Sequence, residues 1–432
     1  MTSDTIYALS SGSPPAAVAV VRISGPEAGR ALAALAGAPP PSRRAALRTV
    51  RAQDGETLDR ALVLFFPGPG SATGEDLAEL HLHGGRAVVA SVLAALAAID
   101  GLRAAAPGEF TRRAFDNGRI DLAEAEGLAD LLEAETQAQR RSALALAGGA
   151  LSRRIHGWQT ALLGLSARVE AVLDFSDEGE VGDSLPAGWD SDRRALAQEM
   201  SIVLGRPGAE RLRDGVRVVI AGPPNSGKSS LLNSLVGREA AITSALPGTT
   251  RDLVEAPIAI GGMPFLLVDT AGLRDTDDEI ESIGVGRARD SLAAADLILW
   301  LGAPGGCPGP AVAGEPSRNI LVRSRIDIVP ADPSADLNVS AVTGEGLDAL
   351  AALLVVRAGR LLPAEGEVAL NARHRAAIAA ARDRLEDAGE TTDILLVAET
   401  LRSARAALDQ VTGRAGVEEM LDSLFGRFCV GK

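Results

Sequence analysis

The stretch AGPPNSGKSS (221–230) sets a lysine and a serine directly after a glycine, at the end of the run GVRVVI and before LLNSLV. That order fits a phosphate-cradling loop, where backbone N–H groups gather at a helix N-terminus and the helix dipole favours anions. Lys228 offers a compact charge for terminal phosphate oxygens, and Ser229 a hydroxyl suited to Mg2+. Only one other lysine, Lys432, occurs in the chain; the remaining 41 of its 43 basic residues are arginine. A planar guanidinium does not fit such a loop, which explains why a lysine persists there.

Two more motifs follow in the order phosphate chemistry needs. PGTTRD (247–252) offers Thr250 as a second Mg2+ ligand. DTAG (269–272), after PFLLV, offers Asp269 to hold Mg2+ through water and the Gly272 N–H to sense a terminal phosphate. For the base, NILV leads into RSRID (323–327), where guanine-binding proteins usually carry Asn-Lys-x-Asp. Asp327 keeps the carboxylate that accepts from guanine N1–H and N2–H2, a pair adenine does not offer. Ser324 replaces the asparagine and Arg325 the lysine, and an arginine can stack on the base. The missing amide contact costs about 0.5–1.5 kcal/mol. SAVTG (340–344) supplies the last base-contacting loop, so GTP is the expected nucleotide.

The residue after DTAG is Leu273, which cannot orient a water. LRDTDDEIESIG is rich in carboxylates, and a glutamate there can act through a second water; residue chemistry alone does not choose among Asp277, Asp278, Glu279 and Glu281. Asn225 can ligate a monovalent cation doing the electrostatic work of an arginine finger.

The elements that must hold these groups read as follows. AVAVVRI (17–23), ALVLFF (61–66) and AELHL (78–82) are strand-like, with helical stretches at 26–36 and 86–99. They predict a compact α+β domain over 1–118. Leu151, Ile155, Trp158, Leu162, Leu165, Val169 and Val172 step by four and three, an apolar seam for antiparallel helices. Strand signals return at 215–221, 264–269 and 297–301 with helices between, an α/β pattern. Helical periodicity resumes with Leu370, His374, Ile378, Ala381 and Leu385, then over 392–411 and 417–428. A helical domain in two pieces, 119–210 and 359–432, with an α/β domain at 211–358 inserted between them, is the economical reading.

Composition agrees with a folded, multidomain protein: 432 residues, 46% hydrophobic and 23% charged. No apolar run reaches the roughly 18–20 residues of a membrane helix. No secretory signal is read in MTSDTIYALSS, and two cysteines, Cys307 and Cys429, fit a reducing compartment, so a cytoplasmic location is expected. A net charge of −14 argues against a protein that coats nucleic acid, yet allows RNA held by a local arginine cluster. His81 and His83 share a strand face without a third ligand, so no metal is assigned to them.

The chain resembles the MnmE (TrmE) family of tRNA-modification GTPases. The resemblance spans DTIYALSS…VAVVRISGP, SATGEDLAELHLHGG, APGEFTRRAFDNGRIDLAEAEGLADLL, GPPNSGKSSLLN, PGTTRD, DTAGLR and the terminal FCVGK. It implies an N-terminal folate-binding domain similar to aminomethyltransferases, a discontinuous helical domain and an inserted P-loop GTPase domain. It implies a homodimer formed through the N-terminal domain, and a flavoprotein partner, MnmG, in a heterotetramer-type complex. The expected product is an aminomethyl or carboxymethylaminomethyl group on C5 of the wobble uridine of certain tRNAs. Its one-carbon unit would come from 5-formyl- or methylene-tetrahydrofolate. GTP hydrolysis would be K+-stimulated and driven by G-domain dimerisation.

Carried over by position, the nucleotide set is Asn225, Ser226, Gly227, Lys228, Ser229 and Ser230; Ser244, Ala245, Leu246, Pro247, Gly248, Thr249 and Thr250; Asp269, Thr270, Ala271 and Gly272; Ser324, Arg325 and Asp327; and Ser340, Ala341 and Val342. Asn225, Ser244, the Leu246 backbone and Thr249 would cage K+, Ser229 and Thr250 would bind Mg2+, and Glu281 would be the catalytic glutamate acting with Lys228. Arg22, Glu79 and Arg119 match folate contacts, with arginine at 119 where lysine is common. The tail would fold back towards that site, bringing Lys432 to the cofactor and a Cys429 thiol near the one-carbon unit. As a prenylation signal CVGK is poor, since glycine stands where an aliphatic belongs. The alternatives are a regulatory GTPase of ribosome assembly, against which stands the lack of a GxxG loop of the KH kind, and a folate enzyme with a vestigial G domain.

Overall fold

The computed structural model describes residues 4–175, 185–238, 240–241, 255–270, 290–302, 318–364, 366–413 and 418–431. It divides into two compact units, Met1–Ala129 with Leu408–Lys432, and Asp130–Ala407.

The first unit is built on a six-stranded sheet of β1 (Thr5–Leu9), β2 (Ala16–Ser24), β3 (Ala46–Arg51), β4 (Thr57–Phe66), β5 (Leu77–Gly84) and β6 (Leu102–Ala104), in the order β3-β4-β5-β2-β1-β6. All neighbours are antiparallel except β1 and β6. Alternation along β2 and β5 decides which side chains face the core. Ala19, Val21, Ile23, Leu80 and Leu82 turn to helices α1 (Ala28–Ala36) and α2 (Arg86–Ala97), where Leu32, Leu35, Val89, Val92 and Leu96 cover them. The opposite set, Val20, Arg22, Glu79 and His81, therefore lies on the open face. Strands β1, β3 and β6 go beyond the sequence reading: β6 has only three residues, and β3 (ALRTVR) breaks its apolar run with two arginines. Those arginines suit an edge strand, since charge there opposes edge-to-edge pairing.

The C-terminal residues complete this unit. Helix α3 (Glu109–Asp116) and helix α4 (Leu122–Glu133) receive the helix Glu418–Phe425, and Leu122, Ala125, Leu421, Phe425 and Phe428 share one cluster. Phe425 stacks at a tilt 6.2 Å from both Phe115 and Phe428. Arg112 donates to Asp422 at 2.7 Å. Beyond them the tail bridges Pro107 to Val430. Two left-handed glycines permit the fit: a Cβ on Gly108 would lie 2.2 Å from the Phe425 carbonyl oxygen, and one on Gly431 would lie 2.1 Å from that of Leu9.

The second unit holds a seven-stranded sheet, ordered β13-β12-β11-β7-β10-β9-β8. Its strands are β7 (Val216–Ala221), β8 (Ala240–Ala241), β9 (Glu255–Ile260), β10 (Met263–Asp269), β11 (Leu297–Leu301), β12 (Asn319–Arg323) and β13 (Leu337–Asn338). Five neighbours from β13 to β10 run parallel, and β9 and β8 join antiparallel. Strand β9 escaped the sequence reading because Pro257 interrupts it, and proline cannot donate to a ladder. The predicted seam is realised in α6 (Ala150–Phe175), where all seven residues from Leu151 to Val172 are buried. Trp158 donates to Glu199 at 3.1 Å from α6 to α7 (Trp189–Leu204), and Trp189 donates back to the Leu165 carbonyl at 3.1 Å. Arg193 of α7 reaches the Leu385 carbonyl at 2.7 Å in helix Ala372–Asp387, so helices from both sides of the sheet segment pack together.

Candidate nucleotide-binding site

Strand β7 is apolar on both faces, as a central parallel strand must be, and delivers the chain to a turn that opens α9 (Lys228–Arg238). The turn requires a left-handed residue, and Asn225 takes it with φ 59°, a conformation asparagine tolerates better than most side chains. Lys228 is buried at the start of α9 and donates to the carbonyls of Gly222 (3.2 Å) and Pro223 (3.0 Å). These neutral acceptors hold the ammonium under the loop. Ser229 Oγ donates to Asp269 Oδ2, which the end of β10 carries into the site and buries. A hydroxyl and a carboxylate side by side are hard oxygen donors of the kind Mg2+ takes, few in number and supplemented by phosphate.

The base side comes from the end of β12. Ser324 Oγ donates to the Ser226 carbonyl at 2.5 Å, and Arg325 Nη1 to the Asn225 carbonyl at 2.9 Å. Two successive phosphate-loop carbonyls are thus held by the residues standing where asparagine and lysine are usual. The Arg325 stem runs over Gly227, where an added Cβ would meet its Cγ at 3.4 Å. Asp327 accepts from Ser340 Oγ at 2.7 Å, and the Ser340 oxygen accepts in turn from the Val342 and Thr343 N–H groups at 3.2 Å. Ser340 is fully buried, so it orients the carboxylate, a role the sequence did not announce.

One cavity of about 740 Å3 joins the two halves, lined by Asn225, Gly227, Lys228, Ser229 and Ser230 together with Ser324, Arg325, Asp327, Ala341 and Val342. Leu231, Ile328 and Val339 also line it. They were missed because an aliphatic residue beside a motif carries no chemical signal. Thr270, expected as a contact, spends its hydroxyl on the Ile220 carbonyl at 3.0 Å. Ser244, Ala245, Leu246, Pro247, Gly248, Thr249, Thr250, Ala271, Gly272, Leu273, Asp277, Asp278, Glu279 and Glu281 lie outside the described residues, as do Cys307 and Lys432.

In the first unit the register sets Arg22 opposite Glu79, and Arg22 Nε donates to Glu79 Oε1 at 2.9 Å. His81 lies 3.0 Å from the other Glu79 oxygen. Burial opposes ionisation of Glu79, but hydrogen bonds from His81 and Arg22 outweigh it and hold the carboxyl below its ordinary value. Two residues on from Arg22, Ser24 meets Thr73 at 2.7 Å, and Asn117 holds the Thr73 carbonyl at 2.8 Å. The Arg119 stem abuts Gly74 in that same loop, so Arg119 stands at the Ser24 end of the face. An ionised acceptor beside a guanidinium can accept from the N–H edge of a ligand and hold an anionic group next to it. Cys429 is exposed, two residues before Gly431, which seats on Leu9. His83 pairs separately with Asp59 at 2.7 Å, and among the described residues no group of three metal-ligating side chains occurs.

Comparison with known proteins covers almost the whole chain. A family model described as the MnmE helical domain matches residues 122–429, and one described as the GTP-binding protein TrmE N-terminus matches residues 5–119. A tRNA modification GTPase MnmE from Rhizorhabdus wittichii is 60% identical, covering 100% of this chain and 97% of its own. Namesakes from Erythrobacter litoralis and Novosphingobium aromaticivorans are each 56% identical, covering 99% and 100% of this chain and 100% of their own. The phosphate loop, the guanine-type carboxylate and full-length identity of this order lead to one conclusion: the chain belongs to the MnmE (TrmE) family of tRNA modification GTPases.

Proposed function

We propose that the chain hydrolyses GTP to drive modification of the wobble uridine of certain tRNAs. With the flavoprotein MnmG it would add an aminomethyl or carboxymethylaminomethyl group at C5, using a tetrahydrofolate one-carbon unit. The observation that carries this reading is a cavity lined by both Lys228 and Asp327. Asp327, oriented by Ser340, selects guanine by accepting from its N1–H and N2–H2. Lys228 and the first N–H groups of α9 bind the phosphates and counter the charge that moves onto them as the terminal bond breaks. Ser229, Thr250 and Asp269 would hold Mg2+, which supplies Lewis-acid stabilisation of the phosphate oxygens. Asn225, with Ser244, Leu246 and Thr249, would hold K+, and Glu281 would orient the attacking water.

Arg22, Glu79, Arg119, Lys432 and an adjacent Cys429 thiol would serve the folate. Exposed Val18, Leu47 and Leu62 on the open sheet face support pairing of two N-terminal units in a homodimer. No helix among the described residues is long and apolar enough to cross a membrane, and a cytoplasmic site of action fits the tRNA substrate.

The test is the wobble uridine itself. In tRNA from a strain lacking the gene, mass spectrometry of nucleosides should find the C5 substituent missing at cognate anticodons; an intact substituent overturns the reading. Lys228→Ala should abolish GTP turnover and fail to restore the modification. Turnover in KCl against NaCl separates a cation-assisted GTPase from an ordinary switch, which would be indifferent.

A further inference from the structure

Binding a polyanion conflicts with a formal net charge of −14 unless basic side chains are gathered locally. They are gathered on the hairpin of α5 (Gln137–Ala147) and α6. From Thr136 to Val169 the sequence has no Asp or Glu and five arginines, at 140, 141, 153, 154 and 168. Arg168 is paired with Asp192 at 2.7 Å. The other four are exposed. Two of them donate to neutral groups, Arg140 to Gln137 Oε1 at 3.0 Å and Arg153 to the Gly148 carbonyl at 2.7 Å. Soluble helices usually intersperse both signs on their outer faces, so a stretch of 34 residues, 136–169, with cationic side chains and no carboxylate marks a special surface in an acidic chain.

Geometry makes the four one surface. Helix α5 buries Ala143 and Leu146, leaving Gln137, Arg140, Arg141 and Leu144 as an outer stripe that runs to Gly148. Arg153, bonded to the Gly148 carbonyl, lies at the end of that stripe, with Arg154 beside it. Arg140 to Gly148 is eight residues, a helical rise of about 12 Å, enough to meet more than one phosphate of a strand. One turn further along α6 stands Gly157, and two turns beyond it Gly164; a Cβ on either would meet nothing within 4 Å. Glycine weakens a helix interior, and the fold's own packing makes no use of these two. Their bare face lets a bulky chain approach beside the arginines.

We propose that this hairpin face docks the sugar-phosphate backbone of the tRNA, with Arg140, Arg153 and Arg154 as its phosphate-binding groups. The inference rests on the tRNA-modification reading and deepens it, naming where the acidic chain holds RNA. Guanidinium groups suit the task because they engage phosphate oxygens in pairs. Such contacts fix the position of the RNA without reading its sequence.

The test is tRNA binding to the full-length chain, followed by fluorescence anisotropy over a KCl series. The double substitution Arg140→Ala with Arg154→Ala spares Arg153 and its bond to Gly148. It should weaken binding about tenfold at 0.1 M salt and flatten the slope of log affinity against log salt by about 1.4–1.8, at roughly 0.7–0.9 per lost phosphate contact. GTP turnover without RNA, helicity and melting temperature should stay as in the wild type. The pair Arg140→Lys with Arg154→Lys should retain affinity within about threefold, since the charge remains. Unchanged slope and affinity in the alanine variant would overturn the proposal, and so would its losing only an acidic protein partner. A wild-type chain that binds no tRNA also overturns it, while the wobble-uridine measurement in the deletion strain still decides the modification reading separately.

Discussion

Asp327 does not stand alone in the base site, because the buried Ser340 hydroxyl fixes one of its oxygens at 2.7 Å and satisfies two loop N–H groups. Ser340→Ala should therefore lower GTP affinity about two- to twelvefold, the worth of one hydrogen bond, while sparing the phosphate loop. Titration with a fluorescent guanine nucleotide checks this, and unchanged affinity would remove Ser340 from recognition. Ser324→Asn should act oppositely, raising affinity by a similar factor, because an amide reaches the base where the hydroxyl serves only the Ser226 carbonyl. Glu79 contributes to the pH dependence, alongside Asp4, Asp59 and Glu109, whose carboxyls are also held below their ordinary values. The Glu79 carboxyl titrates below its ordinary value in the folded state, so its stabilisation is complete above the ordinary glutamate range and is lost as pH falls through the lowered value. Glu79→Gln should consequently flatten the acid limb of stability against pH, measured as melting temperature between about pH 5 and 3. An identical limb in both proteins would deny the ion pair any linkage to folding.

Among the elements, those with a strong period or a chemical motif were legible, and those defined by distant partners were not. The seam from Leu151 to Val172 showed itself because four-three spacing is the signature of a helix face, and every member is buried. The phosphate loop was legible because a lysine in an arginine-rich chain must have a local reason. Strand β6 left no such trace, since three residues carry no periodicity and its pairing with β1 joins segments almost a hundred positions apart. The pairing of Arg22 with Glu79 likewise depends on long-range register, which neither residue carries in its own neighbourhood of the sequence. The tail's seat on Leu9 and Pro107 depends on glycine geometry at both ends of the chain. Phe425, buried between Phe115 and Phe428, tests that seat. Phe425→Ala should cost about 3–5 kcal/mol of first-unit stability in denaturant titration, and a loss under about 1 kcal/mol would mean the helix is only loosely held.

For the molecule as a whole, the candidate nucleotide site lies in the second unit, and ligand linkage should expose that. GTP at a hundredfold excess over its Kd should stabilise the second unit by about 2.7 kcal/mol and leave the first unmoved in calorimetry. A single transition shifting as one would show that the two melt together. The composition of the first unit has a different consequence, for biosynthesis. Its core takes Leu421, Phe425 and Phe428 from beyond position 408, while its other members end at Ala129. A ribosome adding roughly 5–20 residues per second needs about 15–55 seconds to cover that interval. Throughout it, the hydrophobic groove of α3 and α4 waits uncovered on the nascent chain, an opening for chaperones or for mispairing between neighbouring polysomal copies.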